Sequence, residues 1–188
     1  MRAEAVPSRR AAAVRALALA AAGWAAAAAP GAAQETVNRV DAFRDWSVFA
    51  ADDGGPVCWV VTEPQSSEAR RGGSLVRVRR GDIYLMVAVR PEAGVDHAAS
   101  FVSGYPIRMN SEVEVRIGSD EFDFFTAEDS EEEYAWARPE QDGDVIEAMK
   151  AGVTAVVTGV SARGTTTIDR FSLLGFTDAL TAAADRCE

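Results

Sequence analysis

Histidine is nearly missing from this 188-residue chain, with His97 the single example. A Ser-His-Asp or Cys-His site needs an imidazole base, and no Gly-x-Ser-x-Gly elbow is present to hold a nucleophile. His97, next to Asp96, therefore reads as a histidine at the edge of a strand. Cysteine is almost as scarce, at Cys58 and Cys187, and neither has a second ligand nearby in sequence, which argues against zinc. Gly54-Gly55 and Gly72-Gly73 are not followed by Lys-Ser or Lys-Thr, so no phosphate loop is expected. Beyond Ala33 no run approaches the ~20 apolar residues of a membrane span. Repeats and low-complexity tracts are also missing there. No catalytic, cofactor-binding or metal site is expected.

What is present begins with a leader. Arg2, Arg9, Arg10 and Arg15 precede or flank an alanine-rich apolar stretch, Ala11 to Ala29, and Gly31-Ala32-Ala33 supplies small residues before Gln34. This is the layout of a secretory signal peptide over residues 1–33, cleaved after Ala33. A membrane-anchor helix is the competing reading, and the weak hydrophobicity of alanine argues against it. Ser8-Arg9-Arg10 hints at twin-arginine export, but no Phe-Leu-Lys follows, so the general secretory route is favoured. Residues 34–188 then form one domain, long enough for a single core. Removing four arginines and one glutamate with the leader takes the formal charge from −10 to −13. Such a balance offers no basic excess for nucleic acid or anionic membrane surfaces. In an exported protein the two cysteines read as a disulfide, with a free thiol or a metal pair as the weaker alternatives. Closing that loop would stabilise by roughly 4–5 kcal/mol in the chain-entropy model.

The body of the chain reads as short strands separated by turns. Phe43 to Phe49 alternates apolar and polar residues, and Val57 to Thr62 is apolar on both faces, the mark of a strand covered on both sides. Glu63 to Gly73 reads as a long exposed loop, and Leu75 to Arg80 as a strand. Ile83 to Val89, His97 to Ser103, Ser111 to Ile117, Glu121 to Phe125 and Tyr134 to Trp136 are further strands. Near the end, Asp144 and Glu147 have capping-box spacing for a short helix that Gly152 would close in a left-handed cap. A hairpin of Val153–Val160 and Thr165–Leu174 follows. Thr177 would then cap a last helix whose Phe176, Leu180, Ala183 and Cys187 share a face. About ten short strands with one or two short C-terminal helices predict a mainly β fold, an antiparallel β-sandwich or barrel-like sheet.

Two features could carry function. The run from Glu128 to Glu133 gathers carboxylates but lacks the alternating Asp-x-Asp-x-Asp-Gly order of a calcium loop, and reads as solvated. Paired carboxylates could also serve a glycosidase, although nothing in the spacing selects a pair. Among the aromatics Trp46, Trp59, Tyr105, Tyr134 and Trp136, core packing is expected for Trp59. Tyr134 and Trp136, beside the acidic run, are the candidate surface contacts.

Several segments together resemble the invasion-associated locus B family of exported bacterial proteins. They are Cys58-Trp59-Val60, Arg80 to Leu85, Ser103 to Pro106, Phe122 to Thr126 with Ala135-Trp136, and Ala148 through Cys187. The resemblance implies a β-sandwich in the periplasm or at the outer membrane, linked in pathogenic members to host-cell invasion, with no catalytic residues to carry over. Three functions follow as expectations: an envelope protein acting through protein contacts, a saccharide-binding sandwich using Tyr134 and Trp136, and a carboxylate hydrolase. The expected partner is another envelope protein. A flat apolar patch would favour the first and a concave aromatic pocket the second. Two partly buried carboxylates about 5–9 Å apart would favour the third.

Overall fold

A computed structural model of the chain describes residues 38–52, 55–90, 95–126 and 132–187. The signal peptide expected at residues 1–33, the Asp53-Gly54 turn, the loop beginning at Pro91 and most of the acidic run, Glu128 to Glu131, lie outside the described residues. In chain order the strands are β1 (Asn38–Phe43), β2 (Trp46–Asp52), β3 (Pro56–Thr62), β4 (Ser66–Arg71), β5 (Ser74–Leu75), β6 (Tyr84–Arg90) and β7 (Val95–Val102). They continue as β8 (Val113–Ile117), β9 (Asp120–Phe124), β10 (Tyr134–Trp136), β11 (Thr154–Val160) and β12 (Thr166–Ser172). Two helices, α1 (Asp142–Ala151) and α2 (Phe176–Cys187), flank the last hairpin.

All described pairings are antiparallel and build two six-stranded sheets. The first has the order β1-β2-β3-β6-β7-β10 and the second β5-β4-β12-β11-β8-β9. Period-two alternation decides their inner faces. Trp46, Val48, Val60, Leu85, Val87 and Phe101 point inward from the first sheet; Val113, Val115, Phe124, Val157 and Phe171 point inward from the second. Phe101 meets Phe171 edge-on across the gap, with ring centroids 6.1 Å apart. The fold is a β-sandwich. One side is partly closed, because Phe125 and Trp136 exchange two backbone hydrogen bonds of 2.9 Å between the strand edges.

Helix α2 lies against β1, β2, β3 and β6, with Phe176 packed on Trp46 at 4.8 Å between centroids. Its apolar stripe of Phe176, Ala179, Leu180, Ala183 and Cys187 is buried, so the expected helical face is present. Cys187 is bonded to Cys58 on β3, 129 residues away in sequence. Trp46 is fully buried, and its indole N–H donates to the Ser172 carbonyl at 3.0 Å.

A buried polar knot ties the loop before β6 to the second sheet. The Arg80 guanidinium donates to both Asp169 oxygens, at 2.6 and 2.7 Å, and to the Ser103 carbonyl at 2.9 and 2.7 Å. It lies 4.9 Å from the centre of the Tyr105 ring, whose hydroxyl shares a 2.6 Å hydrogen bond with Thr167. Burial pushes the Tyr105 hydroxyl pKa up, and Thr167 and Arg80 act against that. Gly104 permits the close approach. It has φ of +67°, and a Cβ there would sit 2.6 Å from the Gly81 carbonyl oxygen, so only glycine fits.

Several local expectations change. Phe43 to Phe49 is not one strand; β1 and β2 form a hairpin that turns at Arg44, with φ of 53°, and pairs Phe43 with Trp46. Arg44 and Asp45 are two polar residues in succession, so the strict alternation lapses at the point where the chain turns. The Glu63–Gly73 loop contains β4, which pairs with β12 and buries only Ala69, so it shows no apolar alternation. Leu75 to Arg80 is a strand only as far as Leu75, because Arg80 is drawn inward to Asp169. Helix α1 starts at Asp142 with no side-chain cap, so the Asp144–Glu147 box is not formed. Asp142 instead accepts the Ala99 N–H at 3.1 Å. Gly152 is extended, with φ of −83°, and is glycine for space: a Cβ would meet Ile117 at 2.5 Å. Thr177 lies inside α2, which begins one residue earlier at Phe176.

Candidate functional site

The outer face of the first sheet carries the aromatics that the core does not use. Register places Ser47, Val61, Met86, Ser100 and Trp136 in one row across five strands. A second row holds Phe49, Trp59, Ala88 and Ala98, and a third holds Tyr84, Val102 and Tyr134. Phe49 and Trp59 are stacked 5.8 Å apart with planes 9° from parallel, and Tyr134 and Trp136 are stacked at 5.9 Å and 13°. Phe49 and Trp59 face each other across β2 and β3, whereas Tyr134 and Trp136 are neighbours on one face of β10; a cross-strand aromatic pair such as the first stabilises a sheet.

A groove of about 860 Å³ runs over this face, floored by Phe49, Trp59, Tyr84 and Met86 and reaching Tyr134. A neighbouring hollow of about 680 Å³ shares Met86 and Tyr134 and continues to Trp136. Charged groups rim the groove: Arg44 and Asp45 at the β1–β2 turn, Arg39 opposite Phe49 on β1, and Glu63, Asp82 and Glu133 elsewhere. Burial pushes the Tyr84 hydroxyl pKa up, with Asp82 and Glu63 adding to it.

The structure separates the aromatics considered from sequence. Trp46 is fully buried, and Tyr105 is buried and does not line the groove on this face. Tyr134 is 45% exposed, and Trp136 is half-buried against it and against Phe125 at 5.9 Å. Trp59 corrects an expectation: it is a half-exposed part of the groove, not core. Strand β3 is accordingly covered on its inner face alone, and its outward Trp59 and Val61 belong to the surface. Phe49, Tyr84 and Met86 were not singled out from sequence; their outward position in an alternating strand was the available signal. The rim carboxylates Asp45, Glu63, Asp82 and Glu133 are all exposed, which is not the sheltered pair that glycosidic cleavage requires. Among the described residues no group of three or more His, Cys, Asp or Glu side chains could hold a metal ion.

Among the described residues no helix is long and apolar enough to cross a membrane. No curated protein matches the chain. One solved structure similar to it is that of invasion associated protein B from Bartonella henselae, with a TM-score of 0.50 and 16% identity over 78% of this chain and 96% of that one. At that identity the similarity establishes the fold. The family model for "Invasion associated locus B (IalB) protein" matches residues 46–184, from the first strand of the core through most of α2. The chain belongs to the invasion associated locus B family.

Proposed function

We propose that this chain is an exported, non-enzymatic protein of the cell envelope that holds another envelope protein against the outer face of its first sheet. The carrying observation is the half-exposed surface of Phe49, Trp59, Tyr84, Met86, Tyr134 and Trp136, spread over four strands, β2, β3, β6 and β10, and rimmed by charge. Aromatic, methionine and arginine side chains around a desolvated centre are the anatomy of a protein interface. Export is supported by the leader pattern of residues 1–33 and by the disulfide, which persists in oxidising compartments. The protein acts in the periplasm, or peripherally at the outer membrane through its partner.

A second reading is favoured by the concavity of the same face. Stacked rings beside Gln65 and carboxylates also suit a saccharide, whose apolar ring face stacks while its hydroxyls find polar partners. Affinity capture from cell-envelope extracts separates the two. The wild-type protein should retain a discrete partner that the Trp59→Ala/Tyr134→Ala variant does not. Recovery of no partner, together with a saccharide-dependent thermal shift, would replace the first reading with the second.

A further inference from the structure

A separate hollow of about 680 Å³ lies between the loop that follows β5 and the β11–β12 turn. Its walls carry Arg71, Arg77, Arg79 and Arg163, and among the described residues the only carboxylate lining it is Glu133. Arg80 also reaches it, but Asp169 already matches that charge. This concentration runs against the chain's formal charge of −10. Elsewhere some exposed arginines meet glutamates, Arg70 with Glu68, Arg116 with Glu114 and Glu121, and Arg138 with Glu112, while others such as Arg39, Arg44 and Arg90 form no ion pair among the described residues but are not gathered four to one hollow. Among the described residues Arg77, Arg79 and Arg163 form no ion pair or side-chain hydrogen bond, and Arg71 is held by a neutral group. Its Nε and Nη2 donate to the Thr165 hydroxyl at 3.2 and 2.7 Å, which fixes the guanidinium and leaves its charge uncompensated.

Like charges gathered around one concavity repel each other and focus a positive potential there, which a bound anion relieves. Guanidinium forks match the oxygens of a tetrahedral oxyanion in a bidentate way. We propose that this hollow is a binding site for a phosphate-bearing molecule the size of a sugar phosphate or a lipid headgroup. The phosphate sits among Arg71, Arg77, Arg79 and Arg163, and the room left over takes the group that bears it. Among the described residues the site shares Glu133 alone with the lining of the aromatic groove, and it stands whether or not that face docks a protein.

Isothermal titration of the purified protein with glucose 6-phosphate, glucose and glucuronate tests the soluble source of phosphate. Flotation with phosphatidylcholine vesicles, with and without phosphatidylglycerol, tests the lipid source. Saturable binding is expected for glucose 6-phosphate, for the phosphatidylglycerol vesicles, or for both, and whichever binds identifies the source. Arg77→Gln/Arg79→Gln and, separately, Arg163→Gln should each weaken it about tenfold or more, as loss of charge-assisted hydrogen bonds does. Arg186→Gln on α2, outside the hollow, should leave it unchanged. The proposal is overturned if neither phosphate probe binds, if glucuronate binds as well as glucose 6-phosphate, or if Arg186→Gln causes the same loss. Far-UV circular dichroism of each variant confirms that the comparison is between folded proteins.

Discussion

Arg80 and Asp169 take opposite charges into the interior, with side chains 7% and 0% exposed. Such a pair is held by its geometry, since desolvation offsets most of the Coulomb attraction. Removing one partner leaves the other charge buried alone. Asp169→Ala should therefore cost about 3–5 kcal/mol in urea unfolding, and the double variant Arg80→Met/Asp169→Leu should recover most of that loss. Gly104→Ala should cost about 1–3 kcal/mol, because it adds a Cβ at positive φ against a backbone oxygen. Asp142 behaves differently. Burial raises its pKa from 3.8, opposed by the Ala99 N–H and by His97. Its neutral form is thus favoured in the folded state, and the stability it gives is complete below pH 3.8 and lost as pH rises through the raised value. Asp142→Asn should match the wild type at the acid end and become the more stable protein above that window, as urea midpoints across pH would register. None of these roles was legible in sequence. Arg80 and Asp169 lie 89 positions apart, and each alone reads as an ordinary polar residue of a strand.

At the scale of elements, α2 depends on one covalent link and one apolar stripe. Cys58→Ala/Cys187→Ala should lower stability by up to about 4–5 kcal/mol in the chain-entropy model. Amide exchange should quicken in α2 before it does in β3, because the helix loses its tether while the strand keeps two neighbours. The disulfide was legible because a leader-like pattern at residues 1–33 and two lone cysteines suffice to suggest it. The face of α2 was legible from its 3.6-residue period. The hairpin at Arg44, strand β4 and the uncapped start of α1 were not. Each is decided by a distant partner: Trp46 against α2, β12 beside β4, and the Ala99 N–H waiting for Asp142. Local propensity carries no record of such contacts.

Across the whole molecule, alternation in the strands was enough to predict an antiparallel β-sandwich or barrel-like sheet, because an inner face must be apolar whichever strands pair; which of the two it is depends on the strand order. The aromatic face was legible only at Tyr134 and Trp136, which sit next to the acidic run. Trp59 was read as core because β3 is apolar on both faces, and only the arrangement of β2, β3, β6, β7 and β10 shows that one of those faces is open. Trp59→Ala/Tyr134→Ala should consequently leave the sandwich folded, as circular dichroism would show, while removing the partner. The most direct test of the central claim is photocross-linking in living cells, with a photoreactive phenylalanine analogue at Phe49 or Tyr134 and, as control, at Asp123 on β9 of the other sheet. A discrete adduct to one envelope protein from positions 49 and 134, with none from 123, is the predicted result. No adduct from the aromatic face, or the same adduct from position 123, would contradict the account.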